Sequence, residues 1–128
     1  VNDVFEGHEL AIPFRPVAEL LDDYAARNPR KCAIVDLDGA ARIDFGDLRD
    51  AACRVAARLL QLGVAPGDRV LLLSDECLEK LVIWLGIWRI GAVVCPLNIE
   101  LNTRHLGYLS NMIGPKVILI QEGLDLPE

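Results

Sequence analysis

Three short apolar runs alternate with two helix-length segments over the second half of the chain, and this alternation constrains the fold more than any other feature. The runs are Arg69–Leu73, Ala92–Cys95 and Val117–Ile120. Each follows a turn signal: Val64-Ala65-Pro66-Gly67-Asp68 before the first, Gly91 before the second, Gly114-Pro115 before the third. Short runs without a polar alternation are what strands covered on both faces show. Strand, helix, strand, helix, strand makes two βαβ units, each expected to be a right-handed crossover between parallel neighbours. The expectation is an α/β fold: a parallel βαβαβ half-sheet with flanking helices and a small N-terminal hairpin.

The intervening helices differ in character. Ser74 or Asp75 is expected to cap the first, running to about Ile90. It carries two apolar faces, Leu78, Leu81, Val82 and Leu85 on one and Ile83, Trp84, Ile87 and Ile90 on the other. Such a helix should be buried nearly all round. Asn102 or Thr103 is expected to cap the second, which ends at Ile113. Pro96 should close the middle strand at its edge.

Upstream, residues 1–13 show no period and read as an extended lead-in. Pro16 opens a helix with Val17, Leu20, Leu21 and Tyr24 on one face and Asp22, Asp23 and Arg27 on the wet side, stopped by Asn28-Pro29. Lys31–Asp36 and Ala41–Ile43 flank an Asp38-Gly39 turn signal and predict a hairpin. Asp44 then caps a helix with an apolar stripe of Leu48, Ala52, Val55, Leu59 and Leu62, and Gly63 stands where a left-handed residue ends it. Residues 14–121 therefore read as one α/β unit, and 122–128 as a polar tail.

Composition narrows the function classes. The 128 residues carry 13 Lys+Arg against 19 Asp+Glu, a net charge of −6 without basic clusters, which leaves no footprint for nucleic acid. The mean hydropathy of +0.30 is high for so short a chain, which buries a smaller share of its surface. Cys32, Cys53, Cys77 and Cys95 form no C-x-x-C pair, and neither His8 nor His105 lies at ligand spacing from them. They read as small apolar residues kept reduced in a cytoplasmic setting. No secretory leader is apparent at Val1, and the chain is expected to begin within a longer gene. The apolar stretch Leu81–Leu97 is broken by Arg89 and Gly91, and an Arg near a bilayer centre costs roughly 3 kcal/mol, so no membrane span is expected.

Candidate chemistry is sparse. There is no G-x-G-x-x-G, no G-x-x-x-x-G-K-[ST], no G-x-S-x-G and no H-E-x-x-H. Ser74, Asp75 and Glu76 follow the first apolar run, where open α/β sheets bind ligands and where two acids could hold a cation, but capping the next helix explains them more simply. Asp44, Asp47 and Asp50 gather negative charge on one helix surface, and Arg49, Arg54 and Arg58 read as solvated charge. His105 is expected to face solvent. Trp84, Trp88 and Tyr108 are core or interface aromatics, since no basic residues interleave with them. No catalytic, cofactor-binding or metal-binding residue is assigned.

The segment from Arg42 through Phe45, Leu48, Ala51, Ala56 and Leu59 to Leu62-Gly63-Val64-Ala65-Pro66-Gly67-Asp68-Arg69-Val70 resembles the early part of the adenylate-forming (AMP-binding) superfamily, the acyl-CoA synthetases and their relatives. Trp84-Leu85-Gly86-Ile87, then Ile90-Gly91-Ala92-Val93-Val94-Cys95-Pro96-Leu97-Asn98, is similar to the next family segment. Leu106–Leu109 and Lys116–Leu119 are similar to a third. Three pieces in order, over about residues 14–121, make the resemblance specific. One departure falls at Asn102-Thr103-Arg104-His105-Leu106, where His105 replaces the acid of a capping box, so that helix start should be less firmly held.

The resemblance implies a fold that is part of the acyl-CoA synthetase N-terminal domain, and a parent acid–CoA ligase using ATP, Mg and coenzyme A on a small carboxylic acid. The family's phosphate loop, Mg-binding acid and late catalytic Lys have no counterpart in these 128 residues. The chain alone is therefore expected to be an inactive N-terminal fragment that binds no cofactor and self-associates through exposed apolar faces. The alternative is a stand-alone flavodoxin-like or receiver-like binding module.

Overall fold

In the computed structural model, residues 13–37, 39–97 and 103–124 are described, Thr103 and Arg104 through their backbone alone. The elements run α1 (Val17–Arg27), β1 (Cys32–Val35), β2 (Arg42–Asp44), α2 (Phe45–Gln61), β3 (Arg69–Leu73), α3 (Leu78–Arg89), β4 (Val93–Leu97), α4 (Thr103–Ile113) and β5 (Val117–Ile120). β1 and β2 pair antiparallel, and the other strands form a parallel sheet ordered β4-β3-β5. The half-sheet and hairpin read from the sequence are both present. The lead-in before Pro13, Asp38 of the turn and the cap of α4 at Asn102 lie outside the described residues.

Centrality decides burial in the sheet. β3 has a partner on each side, and Val70, Leu71, Leu72 and Leu73 are all buried. Leu59, Val64, Val70, Ile87 and Ala92 form one core cluster, joining α2 and α3 to the sheet. Leu21, Leu48, Ala52 and Val82 form a second, among the helices. The α2–α3 crossing is close because Gly86 has no side chain: a Cβ there would stand 2.5 Å from Val55 Cγ1 and 3.0 Å from the Ala52 carbonyl oxygen. Gly63 takes φ +79° just after α2, the left-handed conformation expected of a helix terminator.

Several details depart from the sequence reading, each for a physical reason. α1 touches the body along a narrow stripe, so Leu21 and Ala25 are buried while Val17 and Leu20 face water. Asp22, placed on the wet side, instead pairs with Arg89 of α3. α2 ends at Gln61, which leaves Leu62 exposed, its N–H donating to the Arg58 carbonyl at 3.1 Å. Asp44 stands at the N-cap of α2 without a side-chain cap bond, because its carboxylate pairs with Arg42 at 3.1 Å.

α3 begins later than expected. Its N-cap is Cys77, and neither Ser74 nor Asp75 caps it; both are engaged at the end of the sheet. Nor is α3 buried all round, since Leu81 and Trp88 face outward while Lys80 is buried. β4 continues through Pro96 to Leu97. The Val93 N–H donates to Asp68 O at 2.8 Å, and strand alternation turns the nitrogens of Val94 and Pro96 away from β3, so the missing N–H of proline breaks no bond to that strand.

Candidate functional site at the carboxyl end of the sheet

β3 and β5 end side by side, and the residues just beyond them are tied together by polar groups. The Gln121 N–H donates to Leu73 O at 2.9 Å, its Oε1 accepts from the Asp75 N–H at 2.7 Å, and its Nε2 donates to Asp75 Oδ2 at 3.4 Å. Ser74 is buried, its hydroxyl donating to the Asp75 carbonyl at 3.2 Å. One turn into α3, Lys80 folds back so that Nζ donates to Ser74 O at 3.3 Å and pairs with Glu76. Burial of a charge is costly unless it is paired and hydrogen-bonded, and here the pairing is uneven: the Lys80 side chain is 7% exposed and that of Glu76 88%. Beside Lys80 lies a cavity of about 110 Å³, lined on one side by Leu72, Ile83, Leu119 and Ile120 and on the other by Ser74, Cys77, Glu79 and Gln121.

The structure separates Ser74, Asp75 and Glu76 rather than gathering them around one ion, each side chain being turned to a different partner. Among the described residues no group of three or more His, Cys, Asp or Glu side chains could hold a metal. Of the three acids on α2, Asp44 pairs with Arg42 and Asp50 with Arg49, while Asp47 faces solvent in the first turn. Arg54 and Arg58 are exposed, as is His105 on the first turn of α4. All four cysteines are free thiols, half-buried and far apart in sequence. Trp84 and Trp88 meet edge to face, centroids 5.7 Å apart, and Tyr108 is exposed on α4.

Two features had no clear signal in the sequence. The sequence does not single out Lys80, which is buried and lines a cavity together with Leu72 of β3 and Leu119 and Ile120 of β5. Arg89 bonds both oxygens of Asp22 and donates from Nε to Cys53 Sγ at 3.1 Å, linking α3 to α1 and α2 across 67 and 36 residues. At the surface, the Arg15 guanidinium bonds Asp23 and, with its charge, holds that carboxyl below the usual carboxylate range.

Residues 21–128 match the family described as AMP-binding enzyme. Among curated proteins, the chain is 31% identical over 100 residues to the long-chain-fatty-acid–CoA ligase FadD13 of Mycobacterium tuberculosis, covering 78% of this chain and 20% of that one. It is 28% identical over 127 residues to surfactin synthase subunit 1 of Bacillus subtilis, covering 98% of this chain and 4% of that one. Among solved structures, the N-terminal domain of FACL13 from Mycobacterium tuberculosis superposes with a TM-score of 0.76 at 30% identity, over 82% of this chain and 27% of that one. The chain thus spans a fifth or less of the length of these curated relatives.

Proposed function

The chain belongs to the AMP-binding enzyme family, and on that premise we propose that it is the N-terminal α/β portion of an ATP-dependent acid–CoA ligase. The parent enzyme adenylates a small carboxylic acid with loss of pyrophosphate and passes the acyl group to coenzyme A, in the cytoplasm. The observation that carries this reading is the superposition on an acyl-CoA synthetase N-terminal domain at 30% identity. Residues 14–121 form the α/β subdomain, preceded by the lead-in 1–13 and followed by the tail 122–128.

ATP, Mg and coenzyme A belong to the parent. The described residues do not fit them: they offer no metal-holding cluster, and the sequence has no phosphate-cradling glycine loop after a strand. No catalytic step is assigned to a side chain here, and inactivity of the 128 residues by themselves is part of the proposal. What this segment supplies is the scaffold, a parallel sheet fixed by α2 and α3. Among the described residues no helix is long and apolar enough to cross a membrane. The exposed Ile118, Ile120, Tyr108 and Met112 are the surfaces through which the isolated chain self-associates.

Acid-dependent pyrophosphate release by the full protein its gene encodes, with and without coenzyme A, tests the proposal. Formation of an acyl-CoA supports it. The match to surfactin synthase favours a second reading, a peptide-synthetase adenylation unit, which would form an acyl or aminoacyl adenylate and pass it to a carrier-bound thiol but not to free coenzyme A. The same assay on residues 1–128 alone should give no release above background, and sedimentation of that chain should show concentration-dependent association.

A further inference from the structure

We propose that the cavity beside Lys80 binds a short aliphatic carboxylate, with the carboxylate on the Lys80 ammonium and the alkyl chain among Leu72, Ile83, Leu119 and Ile120. The proposed ligase chemistry does not use Lys80, and it is the one charged side chain buried to 6% among the described residues. Its ammonium donates to the Ser74 carbonyl, a neutral acceptor, and to Glu76, whose side chain is 88% in water. An ammonium has three donors, so this pairing leaves capacity for a further acceptor. Glu76 can also be released to solvent without losing a buried environment, and an incoming carboxylate then takes its place.

The walls of the cavity set the rest of the ligand. Leu72, Ile83, Leu119 and Ile120 give the cavity an aliphatic side, with Cys77, Glu79 and Gln121 completing the lining, and the volume of about 110 Å³ suits a few methylene groups and a carboxylate rather than a long acyl chain. The cavity also lies at the carboxyl ends of parallel strands and beside the first turn of α3, whose N-cap makes no side-chain bond, so the positive end of the helix favours an anion. Glu79, which is exposed but also lines the cavity, and Glu76 on the Lys80 ammonium both oppose an anion, whereas Asp75 faces Gln121. Those two acids make the charge at Glu76 a sensitive control of affinity.

The test is ligand-observed NMR titration of the full protein with sodium butyrate, against n-butanol and sodium acetate at constant ionic strength. Butyrate should bind saturably and roughly tenfold more tightly than either control, because only it supplies both the charge-assisted bond and the apolar chain. K80M keeps the stem packing and should erase the preference for butyrate over butanol. E76Q removes the competing carboxylate from an exposed position and should tighten butyrate several-fold, and it remains informative if K80M does not fold. Because a ligase could also bind butyrate as a substrate, the opposite signs of the two variants identify this cavity. Equal binding of butyrate and butanol, no saturable binding, or a butyrate affinity that neither variant changes would overturn the proposal, whatever the outcome of the pyrophosphate assay.

Discussion

The two βαβ units of the sheet are written alike and end up unlike. In the first, β3, α3 and β4 meet α2 across the Gly86 contact, and Val70, Leu71, Leu72 and Ile87 are almost wholly removed from water. In the second, which shares β4 and continues through α4 to β5, Ile118 and Ile120 are 45% and 43% exposed, and Tyr108 and Met112 of α4 are more exposed still. β5 is as apolar as β3, so hydrophobicity does not separate them. Position does: β3 is central, and two helices pack across it, whereas β5 pairs with β3 alone among the described residues. An apolar strand is a demand for cover, and only neighbours supply it.

The largest test of that contrast is a matched pair of truncations. Ile87→Ala should lower the unfolding free energy by about 2–5 kcal/mol, as large-to-small changes in a closed core do, while Ile120→Ala should cost only about 1 kcal/mol. Urea unfolding followed by circular dichroism reads both, and equal losses would show that the two halves are equally packed. Next comes the helix crossing. Gly86→Ala improves helix propensity, yet its methyl group meets the Val55 side chain and the Ala52 carbonyl, so a net loss of about 1–3 kcal/mol is expected from overpacking. A gain in stability would mean that α2 and α3 can separate freely.

A smaller effect belongs to the tie between α1 and the core. Arg89→Met keeps the stem but removes the bonds to Asp22 and Cys53, and should cost about 1 kcal/mol in the same assay and speed amide exchange in α1 more than in β3. The smallest lies at the surface. The Asp23 carboxyl is held below its ordinary 3.8 by Arg15, so its contribution is complete above that value and fades as pH falls through the lower folded value. Asp23→Asn should therefore be slightly less stable than the parent near neutral pH, and the two should converge in acid. The pair is solvent-exposed, so a large difference would mark a role beyond the surface ion pair.

Much of the fold was legible because local chemistry announces it. Gly63 and Gly91 end helices with positive φ, and Gly114-Pro115 separates α4 from β5, as their residue types predict. The departures from local preference share another origin. Ser74 and Asp75 are good capping residues, yet Gln121, 46 residues beyond Asp75, claims Asp75, and the helix starts at Leu78. Asp22 belongs to a wet face until Arg89 arrives from α3. Of the candidate site, the acids at residues 75 and 76 were visible in sequence and the buried ammonium beside them was not.

By itself, then, the sequence determined the order and kind of elements, the parallel half-sheet and the family, because periodicity, turn residues and ordered motifs are local properties. Only the tertiary structure decided which apolar faces are closed, which charges are paired, and that Lys80 lies buried beside a cavity at the end of the sheet. Those depend on contacts between residues distant along the chain, whose free energy appears only when the segments meet.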